Sequence, residues 1–95
     1  MYHILYIYVQ VVINFGITWR TPTIRTNPAY DAISMEKENA KVLFIKVDVE
    51  KNREVATLYK ARRMPTFVFM KRTKEIARVI GPHLDQLNET VRRLA

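Results

Sequence analysis

The chain has 95 residues, of which 48% are hydrophobic, a size and composition typical of one globular domain with one modest core. It contains no cysteine, which excludes disulfide bonds, thiol redox chemistry and thiolate metal sites within it. Its 16 Lys and Arg against 9 Asp and Glu give a formal net charge of +7, which favours acidic partners. Its two histidines, His3 and His83, lie far apart in sequence, so we expect no metal site and no cofactor.

Residues 1–19, MYHILYIYVQVVINFGITW, contain no charged side chain. They lack the positive n-region and the small-residue cleavage site of a signal peptide. The polar residues His3, Gln10 and Asn14 interrupt them too closely for a membrane span. Tyr, Ile and Val dominate, which favours β structure, so we predict a strand at VVINF (residues 11–15). We expect no membrane partner and a cytoplasmic location.

A helix follows in the prediction, from Pro22 to about Asn39, because proline is tolerated in the first helical turn. Pro28 lies inside this helix and is expected to kink it. Its inner face is predicted to carry Ala29, Tyr30 and Ile33. A second buried strand, VLFIKVDV, is predicted at residues 42–49.

A short helix is predicted near Asn52–Lys60, with one apolar side made of Val55, Ala56 and Tyr59. Two strands, TFVFM and EIARVI, are predicted next, joined by a hairpin of four residues, Lys71–Lys74. The last helix is predicted from about Leu84 to Ala95. It carries one apolar stripe, formed by Leu84, Leu87, Val91 and Leu94.

This order of elements predicts an α/β domain. The first two strands flank a helical crossover and should be parallel, whereas the last two should be antiparallel. A central mixed sheet of four strands flanked by three helices follows, with residues 1–95 forming a single domain.

The segments VVINFGITW, VLFIKVDVEKNREVATLY and MPTFVFMK, followed by Gly81 and a final amphipathic helix, resemble the thioredoxin family. The resemblance covers roughly Val11 to Ala95 and rests on the order and spacing of these segments. It implies a thioredoxin-like sheet with strand order second, first, third, fourth.

TWRTPT, residues 18–23, stands where thioredoxins carry Trp-Cys-Gly-Pro-Cys. Trp19 and Pro22 match that motif, whereas Arg20 and Thr23 occupy the positions of the nucleophilic and the resolving cysteine. A guanidinium has no nucleophilic lone pair, and a threonine hydroxyl is a poor nucleophile without an adjacent base. The resemblance therefore implies that the chain has no catalytic residue.

Asn14 occupies the position of the family's buried aspartate, which takes part in proton transfer near the cysteines. An amide cannot do this, but burying an amide costs less than burying a carboxylate. We interpret the chain as a protein without enzymatic activity that descends from thiol-disulfide oxidoreductases acting in cell redox homeostasis.

Met64-Pro65-Thr66 resembles the family's cis-proline loop, whose backbone pairs with an extended substrate peptide in relatives. The resemblance implies a peptide-binding groove made of Trp19, Arg20, Thr21, Pro22, Arg63, Met64 and Pro65. The alternative is that the proline only shapes the turn into the third strand.

The same resemblance implies a basic patch beside the groove, formed by Arg20, Arg25, Arg62 and Arg63. Cations at a helix N-terminus oppose the helix dipole, so helix stability does not account for Arg20 and Arg25. Convergent arginines suit carboxylate or phosphate groups, which favours a protein or extended peptide of acidic character as partner. The alternative is four solvated arginines that point apart.

These features favour a redox-inactive module that binds a protein or peptide. Two alternatives are a thioredoxin-type disulfide oxidoreductase by ancestry whose activity is lost, and a truncated product. A further alternative is a scaffold in an RNA-processing complex. We do not expect nucleic acid as a partner, because the Arg and Lys pairs lie on different elements and no RNA-binding signature is present.

Thioredoxins begin with another strand and helix, and residues 1–10 are too short to form both. The strand at Val42–Val49 would then be an exposed sheet edge, which favours pairing with another chain, including a second copy in a homodimer. Residues 1–10 could instead add a fifth strand or extend the first. Thr73 replaces the glycine of the family's hairpin, which is unfavourable if the turn requires a positive φ.

Overall fold

The computed structural model describes residues 10–17 and 21–94, with Thr21 described through its backbone alone. Within these ranges four strands form one sheet, in the order β2-β1-β3-β4. The elements are β1 (Gln10–Gly16), α1 (Thr21–Ser34), a 3-10 turn (Lys37–Asn39), β2 (Val42–Asp48), α2 (Arg53–Leu58), β3 (Thr66–Lys71), β4 (Lys74–Ile80) and α3 (Leu84–Leu94).

Strand directions follow the prediction: β1 and β2 are parallel, whereas β3 runs antiparallel to both β1 and β4. The predicted mixed sheet with three helices and its strand order are therefore confirmed. Gln10 opens β1, and residues 1–9, with the predicted fifth strand, lie outside the described residues. None of the helices in the described part of the chain has the length and apolar character needed to cross a bilayer.

Alternate side chains of the central strands point to opposite faces of the sheet, and each face packs against helices. On one face, Val12 of β1 and Phe67 and Phe69 of β3 pack with α1 and α3. On the other face, a second cluster includes Ile13, Phe15 and Ala56, and Ala56 belongs to α2. Every residue of β1 is buried, which explains its nearly continuous apolar sequence.

Tyr30 fastens α1 to the sheet. Its ring is 1% exposed and lies 5.5 Å from the ring of Phe44 and 5.7 Å from that of Phe67, between ring centroids. Its hydroxyl lies 3.0 Å from the carbonyl oxygen of Val12 and 2.9 Å from that of Ile45. Burial raises the pKa of Tyr30 above its usual range, so the hydroxyl keeps the proton that it donates.

The predicted end of the first helix, Asn39, is wrong, because α1 stops at Ser34. Glu36 has the extended backbone angles φ −66° and ψ 136°, which interrupt the helix before the 3-10 turn. The side-chain amide of Asn39 donates to the carbonyl of Ile33 at 3.0 Å, and so satisfies an acceptor at the helix end. Pro28 lies inside α1, and a kink there stays a prediction.

The apolar sides predicted for α2 and α3 differ in how far they are buried. The apolar side predicted for the short helix is only partly buried: Ala56 is buried and Tyr59 half-buried, whereas Val55 is 40% exposed. In α3 the predicted stripe is confirmed: Leu87 and Val91 are buried, and Leu84 and Leu94 pack against the same cluster.

The hairpin between β3 and β4 is shorter than predicted. Lys71 and Lys74 pair with each other, which leaves Arg72 and Thr73 as a two-residue turn. Their φ angles are 51° and 69°, the left-handed conformation that such tight turns require. Thr73 therefore occupies a position where a β-branched residue is strained.

Replacing Thr73 with glycine should raise the free energy of unfolding by about 1 kcal/mol, because glycine adopts positive φ without steric cost. The Thr73 hydroxyl bonds only to the neighbouring carbonyl of Arg72 in an exposed turn, where water can replace it. Urea denaturation of Thr73→Gly measures the change. Thr57→Gly, at an exposed position of α2, is the matched control and should lower the free energy of unfolding by about 0.3 kcal/mol, because glycine is slightly less favourable than threonine in a helix. Equal effects of both variants would contradict the argument.

Candidate functional site

Residues 18–23, TWRTPT, connect the carboxyl end of β1 to the first turn of α1. Trp19 and Arg20 lie outside the described residues, as does the side chain of Thr21. Their membership of the peptide groove, and that of Arg20 in the basic patch, stays a prediction. Pro22 is exposed in the first turn of α1, where its missing N–H costs nothing.

Thr23 is enclosed between α1 and the end of β1. It is 2% exposed, and its Oγ1 accepts a hydrogen bond from the backbone N–H of Ile17 at 3.2 Å. Gly16 permits this close approach, because a Cβ there would lie 2.7 Å from Oγ1 and 2.8 Å from Cγ2 of Thr23. The hydroxyl oxygen of Thr23 thus serves as a structural acceptor for the buried N–H of Ile17.

Asn14 is buried at 2% exposure and connects β1 to α1. Its Nδ2 donates to Oδ1 of Asn27 at 2.9 Å, whereas its own Oδ1 has no hydrogen-bond partner among the described residues. A cavity of about 20 Å³, lined by both asparagines and by Thr23, lies beside them. This volume is large enough for one water molecule.

Two charged side chains, Lys46 and Asp48, also line this small cavity, but both are bonded elsewhere. Lys46 Nζ lies 2.7 Å from Oδ1 of Asp31, in a pair that is exposed to solvent. The carboxylate of Asp48 accepts from the backbone N–H groups of Glu50 and Lys51 at 2.9 Å and 3.2 Å. The amide of Asn14 therefore occupies the interior of the site, and an amide does not transfer protons at physiological pH.

The loop before β3 has the shape that the sequence suggested. The Met64–Pro65 peptide bond is cis, and Pro65 is buried. The Pro65 carbonyl accepts the N–H of Gly81 at 2.8 Å, and the Thr66 hydroxyl donates to the carbonyl of Arg63. Arg63 is exposed and Met64 half-buried, so both side chains reach the surface while the backbone is held.

The remaining arginines of the predicted patch are all exposed: Arg25 on α1, and Arg62 and Arg63 in the loop before β3. Arg62 lines a cavity of about 440 Å³ between α2 and the ends of β1 and β2, and neither Arg25 nor Arg63 belongs to that lining. Convergence of all four arginines thus stays a prediction.

Sequence reasoning missed two cations that share this cavity with Arg62, namely Arg53 and Lys60. A signal was present, since Arg53 and Lys60 are seven residues apart, a spacing that places two residues on one side of a helical segment. The prediction of the short helix rested on its apolar residues, and these do not indicate where the two cations lie.

Arg78 of β4 fixes the segment that carries Lys60. Its guanidinium donates to the carbonyl of Tyr59 at 2.7 Å and to that of Lys60 at 3.3 Å. Glu75 holds the same guanidinium through two hydrogen bonds of 2.7 Å and 2.8 Å. The hydrogen bonding of Arg78 lowers the pKa of Glu75, which keeps this clamp ionised at neutral pH.

The sequence matches the pattern of the family described as Thioredoxin over residues 4–93. The chain belongs to the thioredoxin family. It is 40% identical over 81 residues to Thioredoxin H2-2 of Oryza sativa subsp. japonica, a match that covers 85% of this chain and 59% of the rice protein. It is 37% identical over 81 residues to a thioredoxin of Echinococcus granulosus, covering 85% of this chain and 74% of that one.

Solved thioredoxin structures agree with this assignment. The thioredoxin of Fasciola hepatica superposes with a TM-score of 0.84 at 38% identity, covering 90% of this chain and 81% of that one. The thioredoxin of Malassezia sympodialis gives a TM-score of 0.85 at 35% identity, covering 90% and 75%. The thioredoxin-like fold is therefore shown. The chain spans about three fifths of the length of the rice thioredoxin that it matches.

The contact between Gly16 and Thr23 makes a testable prediction. Gly16→Ala should lower the free energy of unfolding by about 1–3 kcal/mol, because the added methyl overlaps Thr23. Thr23→Ala alone should cost about 1–2 kcal/mol, because it leaves the buried Ile17 N–H without its acceptor. Combining the two should cost less than the sum, since removing Oγ1 and Cγ2 relieves the overlap.

A double-mutant cycle by urea denaturation measures this coupling. Thr26→Ala is the matched control, because Thr26 is equally buried on α1 but bonds to the carbonyls of Pro22 and Thr23 instead. Its effect should add to that of Gly16→Ala. Strict additivity of the Thr23 and Gly16 substitutions would show that the two residues do not constrain each other.

Proposed function

We propose that this chain is a redox-inactive member of the thioredoxin family that binds a protein or an extended peptide. The groove would be formed by Trp19, Arg20 and the first turn of α1 on one side and by the cis-proline loop on the other. We propose no enzymatic activity and no cofactor, and a cytoplasmic location.

One observation carries this proposal. At the position of the family's resolving cysteine, Thr23 is buried and its hydroxyl is held by the Ile17 N–H, while the chain contains no cysteine at all. Disulfide exchange needs an attacking thiolate and a second thiol, and neither is available in this chain. The Met64–Pro65 loop, in contrast, has a buried proline and presents two side chains, those of Arg63 and Met64, at the surface.

The acidic character of the partner is supported by charge. Arg62 and Arg63 are exposed directly before Met64 and the cis-proline, and the whole chain carries a formal net charge of +7. A partner strand rich in carboxylates would be attracted to this surface and could form charge-assisted hydrogen bonds with the guanidinium groups. Pairing of two copies through the outer edge of β2 remains a separate proposal, with main-chain hydrogen bonds as its basis.

The loss of redox activity is tested by reduction of insulin disulfides with dithiothreitol as the electron source. The chain should accelerate the reaction no more than buffer does, because it has no thiol. Arg20→Cys/Thr23→Cys should gain measurable activity, since the rest of the fold is retained, and Arg20→Ser/Thr23→Ser is the matched control. Turnover by the cysteine-free chain would refute redox inactivity. A folded but inactive cysteine variant would argue against a retained substrate groove.

Peptide binding is tested with a fluorescein-labelled peptide of alternating glutamate and leucine, followed by fluorescence anisotropy. Arg20→Glu/Arg63→Glu should weaken its affinity about tenfold or more, because attraction becomes repulsion at two positions. Lys41→Glu/Lys74→Glu makes the same change of charge at exposed positions of other elements and should have a small effect. Amide NMR shifts should concentrate at residues 62–66. Equal losses in both double variants would indicate a general effect of net charge and contradict the groove.

A further inference from the structure

The end of the sheet that lies away from the candidate site brings several chain segments together. Gln10 of β1 pairs with Val42, the first residue of β2, and Val11 pairs with Met70 near the end of β3. The amino ends of β1 and β2 and the hairpin that follows Lys71 therefore lie side by side. The other end of β1, which leads into the candidate site, lies about 20 Å away, because this strand has 7 residues.

Both longer helices end at the same place. The Nε2 atom of Gln10 lies 3.5 Å from the carbonyl oxygen of Val91, so the last turn of α3 lies against the amino end of β1. Helix α1 ends at Ser34, and a short connection that contains the 3-10 turn joins it to the start of β2. The exposed cations of these segments form what is here called the basic pole. They are Lys37, Lys41, Lys71, Arg72, Lys74, Arg92 and Arg93.

The basic pole carries an excess of positive charge. None of its cations forms an ion pair within residues 10–17 and 21–94. The nearby carboxylates of Asp31 and Glu75 are paired with cations that do not belong to the pole. The other acidic residues near this end are Glu36, Glu38 and Glu89, against seven cations of the pole. Such an excess attracts a surface that carries many negative charges.

Stability of the fold does not account for the cations of the hairpin. Lys71 and Lys74 are direct cross-strand neighbours, and two like charges in this position destabilise a hairpin. Arg72 adds a third cation between them, in a backbone with a φ of 51°. Arg92 and Arg93 differ, because they lie at the C-terminus of α3, where the helix dipole favours cations. The hairpin thus carries charge that lowers its stability, which is expected where the charge has a role in binding.

Apolar groups at the basic pole favour a lipid surface over a nucleic acid. Met35 follows α1 at this end and is 85% exposed. The sequence that directly precedes Gln10, MYHILYIYV, contains three tyrosines and no Lys, Arg, Asp or Glu, and tyrosine is enriched at membrane–water interfaces. Among the described residues, no phenylalanine or tyrosine is exposed for a nucleotide base to stack on. A contact with the membrane surface requires no spanning helix.

We propose that the basic pole binds the surface of a membrane that contains anionic lipids, with its cations at the headgroups and Met35 at the apolar boundary. The pole spans four strands, about 14 Å, which is wide enough to contact several headgroups at once. The cytoplasmic leaflet carries such lipids, in agreement with the proposed location. The inference does not depend on peptide binding, and the bound domain would present the candidate site away from the membrane.

Sedimentation of the full chain with vesicles tests the proposal. The chain should sediment with vesicles of three parts phosphatidylcholine to one part phosphatidylserine and stay in solution with phosphatidylcholine alone, because the attraction requires anionic headgroups. Lys41→Glu/Lys74→Glu should weaken the binding about tenfold or more, because two attractions become repulsions. Arg62→Glu/Arg63→Glu is the matched control, since it makes the same change of charge at exposed positions of the other end, and it should have a small effect.

Lys74→Glu alone separates binding from folding. It replaces a like-charge cross-strand pair with Lys71 by an opposite-charge pair, so the midpoint of urea denaturation should rise while vesicle binding weakens about threefold or more. A loss of affinity in a more stable variant cannot come from misfolding. Unchanged affinity in both Lys74→Glu and Lys41→Glu/Lys74→Glu would overturn the proposal.

The lack of cysteine allows a fluorescent label at one chosen position, which tests the orientation of the bound domain. Met35→Cys and Arg63→Cys are each labelled with nitrobenzoxadiazole and mixed with the anionic vesicles. The label at position 35 should brighten and shift to shorter wavelength, because it enters a less polar boundary, whereas the label at position 63 should not change. An equal or larger response at position 63 would overturn the assignment of the contact to the basic pole.

Four further outcomes would overturn the proposal. The first is that the unmodified chain does not sediment with anionic vesicles. The second is an equal loss in the two double variants, which would indicate net charge alone. The third is release of the chain from vesicles by excess soluble phosphoserine, which would indicate a site for one anion. The fourth is tighter binding of a labelled oligouridylate than of vesicles, which would indicate a nucleic acid as partner.

Discussion

The fold depends on the complete burial of β1. This strand shares hydrogen bonds with β2 on one edge and β3 on the other, and helices cover both of its faces. Tyr30 reinforces the arrangement, because its hydroxyl reaches the carbonyls of both β1 and β2 from the helix above them. The site begins where this strand ends, so the positions of Ile17 and Thr23 follow from the packing of the core.

The contact of Gly16 with Thr23 gives the first turn of α1 a fixed position against the end of β1. In a thioredoxin of the usual pattern, the residue at Thr23 is a thiol that must take part in exchange. Here the same position supplies a buried methyl and a hydrogen-bond acceptor for the Ile17 N–H. The change replaces a reactive group by a packing group, while the loop around Pro65 keeps the shape that presents Arg63 and Met64 at the surface. Under the proposed function, Thr23 serves packing, and the residues of the Pro65 loop serve recognition of the partner.

Much of the fold could be predicted from the sequence, because burial leaves a strong pattern. The continuous apolar run of β1, the stripe of α3 and the order of the motifs together determine the sheet and its helices. The end of α1 was missed because it depends on the side chain of Asn39, which returns to the helix only after the chain has turned. The sequence predicts a connection of four residues where the structure has two, because the pairing of Lys71 with Lys74 depends on strand register. The residues at the two cysteine positions could be identified directly from the sequence. The cavity between α2 and the ends of β1 and β2 could not, since Ile17, Val49 and Arg62 meet only through the tertiary fold.

The amide of Asn14 has a consequence for proton linkage. A carboxyl group buried at this place would hold its proton more tightly in the native than in the unfolded chain, because burial penalises its charged form. The native chain would then bind more protons across the interval between the two pKa values, and its stability would fall as the pH rises through that interval. Asn14 has no proton to release, and it bonds to another amide, that of Asn27. The hydrogen bond between Asn14 and Asn27 therefore persists at any pH at which the domain is folded, and this pair adds nothing to the pH dependence of folding.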